Sequence, residues 1–197
     1  MTIKHKKGQE TKKKLLNTAL HLFAEKGFDN VSVDEIVATA SSSKGAFYTH
    51  FKSKHEIFLE KFKEMDKFYE SYFSTHDQTL TAYDQLLSFF KALMTYMRDE
   101  IGLDMLRVIY INELNPNRTS FFTNPDRTLY KVLTTYFQKG IDEGDFRTDV
   151  TAEYMTKCMA RIVRGLIYDW GLYKDEVDLV QESATYLRYS LDGFVKK

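Results

Sequence analysis

The chain has a single cysteine, Cys158, and only two prolines, Pro116 and Pro125. One thiol excludes an internal disulfide and any multi-cysteine metal site, and suits a reducing compartment. Because both prolines fall in the polar stretch from Asn115 to Asp126, nothing of that kind interrupts helical periodicity elsewhere. No apolar run approaches the ~20 residues that span a bilayer, and the lysine-bearing N-terminus has no adjacent hydrophobic signal core. No membrane association is expected, and the chain is expected to be cytoplasmic. Net charge is also missing, since 28 basic residues balance 28 acidic ones.

Catalytic signatures are scarce as well. The five histidines, His5, His21, His50, His55 and His76, all precede residue 77, and the spacing of His50 from His55 does not stack them on one helical face. No HExxH, phosphate-binding glycine loop or dinucleotide fingerprint occurs. Ser41 to Lys44 fits S-x-x-K, but its companions S-D-N and K-T-G are absent. No enzyme activity, metal site or cofactor is expected. Strands are not expected either, because no run alternates apolar and polar residues cleanly. The fold class read from this pattern is all-α, with helices over 55–74, 79–100, 103–114, 125–143, 151–173 and 177–195 behind a smaller helical head.

What is present is concentrated between Ser32 and Phe58. Ser32 and Glu35 have the spacing of a reciprocal capping box, which starts a helix at about Val33. Ile36, Val37 and Ala40 give that helix an apolar face, three serines follow as a turn, and Ser43 is placed to cap a second helix from Lys44 to His50. Phe47 and Phe51 recur at i, i+4 and face inward. Lys44, Ala46, Tyr48, Thr49 and His50 then remain on the accessible side. Gly45 and Ala46 are small enough for a close backbone approach, and a helix start offers free N–H donors to an anion. Upstream, Leu15, Leu16, Ala19, Leu20 and Phe23 form one stripe of a supporting helix from Thr11 that ends at Gly27. Two short helices and a turn on such a support read as a helix-turn-helix facing nucleic acid. Charge agrees: residues 1–54 carry ten lysines against five acids, net +5, and residues 55–197 carry net −5. Residues 1–10 read as a loose, basic arm.

From Thr11 to Leu59 the sequence is similar to the DNA-binding domain of the tetracycline-repressor (TetR) family of bacterial transcription regulators. Its most specific portion is Ser43-Lys44-Gly45-Ala46-Phe47-Tyr48 with His50-Phe51 and Lys54. The resemblance implies that Tyr48, His50 and Lys54 hold backbone phosphates and that Lys44, Ala46 and Thr49 meet base edges, with Ser32, Ser43 and Gly45 completing the DNA-binding set. Ser41 and Ser42 stand where the family usually has a glycine and an apolar residue. A non-glycine residue with positive φ at that turn costs on the order of 1 kcal/mol. The alternative is a helical small-molecule-binding or interaction protein with a degenerate helix-turn-helix.

The resemblance further implies a division into residues 1–54, a DNA-binding domain, and residues 55–197, a regulatory and dimerisation domain. It implies a homodimer on a palindromic operator, most often a repressor, released by a small-molecule effector. Tyr154, Cys158, Ile162, Gly165 and Leu166 on one C-terminal helix, and Leu179, Ser183, Tyr186 and Ser190 on the next, are the candidate dimer interface. A small apolar or aromatic effector suits the aromatic and methionine content of the middle helices. Phe90, Met94, Met97, Tyr110, Tyr136 and Trp170 are its candidate walls, with Arg107 or Arg164 as an anion anchor.

Overall fold

Helix starts follow capping chemistry. Ser32 Oγ accepts from the Glu35 N–H and Ser43 Oγ from the Ala46 N–H, each at 3.1 Å, while Asp178 Oδ1 accepts from Val180 and Gln181 at 2.9 Å. Thr81 Oγ1 accepts from the Asp84 N–H at 3.1 Å and donates to its carboxylate at 2.8 Å. The computed structural model describes residues 3–116, 120–173 and 176–196. Its helices are α1 Ile3–Lys26, α2 Val33–Thr39, α3 Lys44–His50, α4 Lys54–Thr75, α5 Ala82–Tyr96, α6 Leu103–Glu113, α7 Thr128–Glu143, α8 Ala152–Tyr173 and α9 Leu179–Asp192. A π-helical turn, Met97–Ile101, extends α5 and stops at Gly102, whose φ of 74° and N–H bond to the Met97 carbonyl end the helix. Among the described residues no strand forms, only an isolated antiparallel bridge between Phe146 and Val195.

One expectation changes here. The arm expected over residues 1–10 is helical from Ile3 onward, with Met1 and Thr2 outside the described residues. Lysine, glutamine and glutamate are good helix formers, so they continue α1 backwards despite Gly8. The polar stretch Asn115–Asp126 is described apart from residues 117–119, which lie outside the described residues.

The chain separates into two compact units, Met1–Glu64 with Arg107–Arg118, and Met65–Leu106 with Thr119–Lys197. In the first, Leu15, Leu16, Ala19, Leu20 and Phe23 of α1 are buried with Ile36 and Val37 of α2 and Phe47 of α3. In the second, α5, α7, α8 and α9 pack together. There α9 runs antiparallel to α5, because Tyr83 Oη donates to Asp192 at 2.5 Å at one end and Arg98 donates to Asp178 at 3.0 Å at the other. α4 contributes residues to both units. Among the described residues no helix is long and apolar enough to cross a membrane.

Candidate nucleic-acid interface

The recognition surface exists because α3 has one buried anchor per turn and leaves its other sides exposed. Phe47 is fully buried and meets Phe51, also buried, with ring centroids 5.6 Å apart. On the opposite side Lys44, Gly45, Tyr48 and Thr49 are exposed, and Ala46 and His50 are half-buried. Tyr48 rests edge-on against Phe47 at 5.4 Å and His50 lies beside Phe51, so both polar tips are carried on a rigid base. Thr49 donates its hydroxyl to the Gly45 carbonyl at 2.8 Å. This fixes its rotamer and leaves its oxygen as an acceptor.

The turn between α2 and α3 survives the two serines through its backbone. Ser41 N–H donates to the Ala38 carbonyl at 3.0 Å and Ser42 N–H to the Val37 carbonyl at 2.8 Å, the paired bonds of a Schellman motif. That motif requires the left-handed region at Ser41, whose φ is +47°, the single positive value for a non-glycine among the described residues. Neither serine hydroxyl bonds a helix-end carbonyl, so nothing local offsets the strain. Ser41→Gly is therefore expected to stabilise the head by about 0.5–1 kcal/mol, the strain relieved being partly offset by a freer unfolded chain. Denaturant unfolding of the two proteins side by side checks this, and an unchanged midpoint counts against it.

Charges around the motif are wired more tightly than the sequence indicates. Only half of the capping box forms, because the Glu35 carboxylate pairs with Lys26 across the α1–α2 loop rather than returning to the Ser32 N–H. Lys44 Nζ lies 2.7 Å from Asp34 Oδ1, and this bond together with the aspartate charge holds the ammonium above its ordinary pKa. Lys54 has partners within the protein. Its ammonium donates to the Phe28 carbonyl at 2.8 Å and to the Val31 carbonyl, and lies 4.6 Å from the Phe28 ring centroid. It ties the start of α4 to the loop that delivers α2. A lone lysine after α3 gives no sequence sign of this, since its acceptors lie over 20 residues away.

The regulatory candidates are distributed differently from expectation. Phe90, Met94, Met97 and Tyr136 are buried in the second unit, whereas Arg107 and Tyr110 belong to the first and are half-buried. Phe90 lies under a cavity of about 410 Å³ between α5 and α9, and Trp170 lines one of about 370 Å³ between α8 and α9. Arg164 donates to the Phe122 carbonyl at 2.7 Å and to Tyr130 Oη at 3.0 Å, which ties α8 to α7 and to the segment before it. Around Tyr136 the structure gathers Phe73, His76 and Phe89, a cluster the candidate walls omitted.

Of the interface candidates, Leu179 and Ser183 are corrected. They are buried inside the protomer with Leu187 and Leu191, an i, i+4 stripe that packs α9 inward, and the Ser183 hydroxyl donates to the Leu179 carbonyl at 2.5 Å. Tyr154, Gly165 and Tyr186 are exposed, and Cys158, Ile162, Leu166 and Ser190 are half-buried. The outer face adds Tyr168, Leu172, Tyr173 and Tyr189, all exposed. The sequence does carry their signal, because Tyr154, Cys158, Arg161, Gly165, Tyr168 and Leu172 alternate spacings of four and three. Among the described residues no group of three metal-ligating side chains forms.

A short helix anchored by Phe47, presented after a tight turn from α2 and backed by α1, defines a helix-turn-helix DNA-binding regulator. Residues 15–60 match the family model described as bacterial regulatory proteins, tetR family. Residues 15–60 are thus those of a TetR-family DNA-binding domain. The TetC protein of transposon Tn10 from Escherichia coli is 35% identical over 91 residues, an alignment covering 46% of each chain and so about half of that relative's length. The regulator TtgR of Pseudomonas putida is 24% identical over 199 residues, covering 93% of this chain and 91% of its own. In structure, Thermus thermophilus FadR, a TetR-family transcriptional repressor solved with lauroyl-CoA, matches with a TM-score of 0.70 at 21% identity, over 94% of this chain and 96% of that one. Its likeness at that identity concerns the fold.

Proposed function

We propose that the chain is a ligand-responsive repressor that binds a palindromic operator as a homodimer, with residues 1–54 as the reading head and residues 55–197 as the regulatory and dimerising body. The observation that carries the reading is the exposed side of α3, held by the buried Phe47. In this reading Lys44, Ala46 and Thr49 meet base edges, and Tyr48 and His50 hold phosphates beside the free N–H groups at the start of α3. Ser32 and Ser43 act as caps that aim the two helix starts, Gly45 admits the backbone closely, and Lys54 supports the α1–α2 loop from within.

Dimerisation is supported by the outer face of α8 and α9, where Tyr154, Tyr168, Leu172, Tyr173, Tyr186 and Tyr189 are all exposed. Six large side chains on two adjacent helices form the kind of surface that a second copy covers. One short recognition helix touches few base pairs, so a two-fold pair doubles the contacts across a palindrome. Effector response is supported by the aromatic interior of the second unit, and FadR with its bound lauroyl-CoA is a relative in fold that holds a ligand. Release of the operator then requires the effector to prefer the form that does not bind DNA.

Selecting duplexes from a random pool tests the reading directly. A palindromic consensus is expected, with log affinity falling against log salt at a slope near −0.9 for each phosphate neutralised. Fluorescence anisotropy across a salt series gives that slope. Binding that ignores salt, or a pool that yields no consensus, would instead favour the carrier or interaction-protein alternative.

A further inference from the structure

Tyr136 on α7 is buried to 1% exposure, yet its hydroxyl has no hydrogen-bond partner. An orphaned hydroxyl in a core costs about 1–3 kcal/mol, a cost that phenylalanine at the same place would avoid. Packing alone therefore does not account for a tyrosine there. The surroundings are aromatic: Phe73 lies 5.3 Å away, His76 5.1 Å and Phe89 6.1 Å between ring centroids, the first two edge-to-face. The side chain is thus set among rings, and its hydroxyl finds no hydrogen-bond partner there.

No full charge acts on this group. Burial raises the Tyr136 pKa above its ordinary value, and the neighbouring Tyr72 phenol adds to the shift, so the hydroxyl keeps its proton and remains a donor. His76 is committed elsewhere. Its Nδ1 lies 2.5 Å from the Phe73 carbonyl, which can only accept, so Nδ1 carries the proton; Nε2 lies 3.2 Å from the Gln78 amide nitrogen, which donates to it. An anionic ligand would find no counter-charge at this point. Tyr72 meets Phe89 at 5.5 Å and also lines a groove of about 560 Å³ between α4 and α5, with Phe68 and Tyr96 stacked at 4.2 Å in its wall.

We propose that the Tyr136 hydroxyl is the donor for an uncharged aromatic effector bearing a hydrogen-bond acceptor, an inference that rests on the effector-responsive reading above. The rings of Phe73 and Phe89 take the ligand's flat body, and the single donor selects for its acceptor. Tyr136 thus trades stability of the free protein for recognition, as binding sites commonly do.

Three probes of similar size separate the outcomes: coumarin, with a carbonyl acceptor; naphthalene, with none; and 2-naphthoate, with a charge. Titration calorimetry on the full chain is expected to show coumarin bound, with Tyr136→Phe weakening it roughly three- to tenfold, the loss of one neutral hydrogen bond. The same substitution is expected to leave naphthalene binding unchanged and the melting temperature equal or higher. Equal coumarin affinity in the two proteins, tighter binding of 2-naphthoate, no binding of coumarin, or a melting temperature lowered by the substitution would each overturn the assignment. Coumarin that binds through Tyr136 yet leaves operator affinity untouched would instead sink the effector reading and keep the site.

Discussion

Phe47→Ala is expected to destabilise the DNA-reading head by about 3–5 kcal/mol, the usual range for truncating a buried aromatic, and to abolish operator binding. The residue is fully buried, and its ring is in contact range of both Phe51 and Tyr48. α3 has only seven residues, too few to form a helix by propensity in water. Its structure therefore depends on that ring, on the Ser43 cap and on the turn at Ser41. Removing the ring leaves a void that the short helix cannot close by shifting, because caps and turn fix both its ends. The second unit has its own buried residues and is expected to keep its helices. Circular dichroism should then show partial loss of helix, and anisotropy should show no binding to the selected duplex. Full DNA affinity in a folded Phe47→Ala protein would refute the anchoring role.

Much of the head was legible because each device in it is local. Ser32 and Ser43 precede apolar periodic residues by the spacing of a cap, and Phe47 with Phe51 repeats every four residues, so the start of α2 and both ends of α3 emerge from the sequence. The bonds that Lys54 makes within the protein were not legible, for the opposite reason. Its phosphate role came from resemblance, whereas its acceptors, Phe28 and Val31, are brought to it by the packing of α1, α2 and α4. The body shows the same division. Helix boundaries were visible within a few residues, and Gly102 and Gly144 marked two ends through their positive φ. Which face of α9 points inward was not, because Leu179, Ser183, Leu187 and Leu191 repeat at the same helical spacing as Tyr186 and Ser190, and only packing decides between the two stripes. The Tyr136 site was named as a wall, but the missing partner of its hydroxyl is a property of three dimensions and has no counterpart in spacing.

Gly140→Ala should cost about 2 kcal/mol, although alanine is the better helix former by about 1 kcal/mol. Gly140 lies inside α7 and is buried, and a Cβ placed there would stand 2.3 Å from Cδ2 of Phe146 and 3.0 Å from the Ala82 side chain. The ring cannot easily move. Phe146 is fully buried, packs on Phe137 at 5.4 Å, and its backbone bridges Val195 while its N–H donates to the Gly140 carbonyl at 3.0 Å. The preceding Asp145 carboxylate accepts from the Ala82 N–H at 3.1 Å, so the same corner holds the end of α7, the start of α5 and the C-terminal segment. A methyl group at Gly140 must push against all three. Thermal unfolding should fall by roughly 4–8 °C for a chain of this size. The double substitution Gly140→Ala with Phe146→Leu tests the cause, since a smaller side chain makes room for the methyl. If the clash sets the cost, the pair is less destabilising than the sum of its members by about 1 kcal/mol or more; strict additivity would mean that the glycine is needed for some other reason.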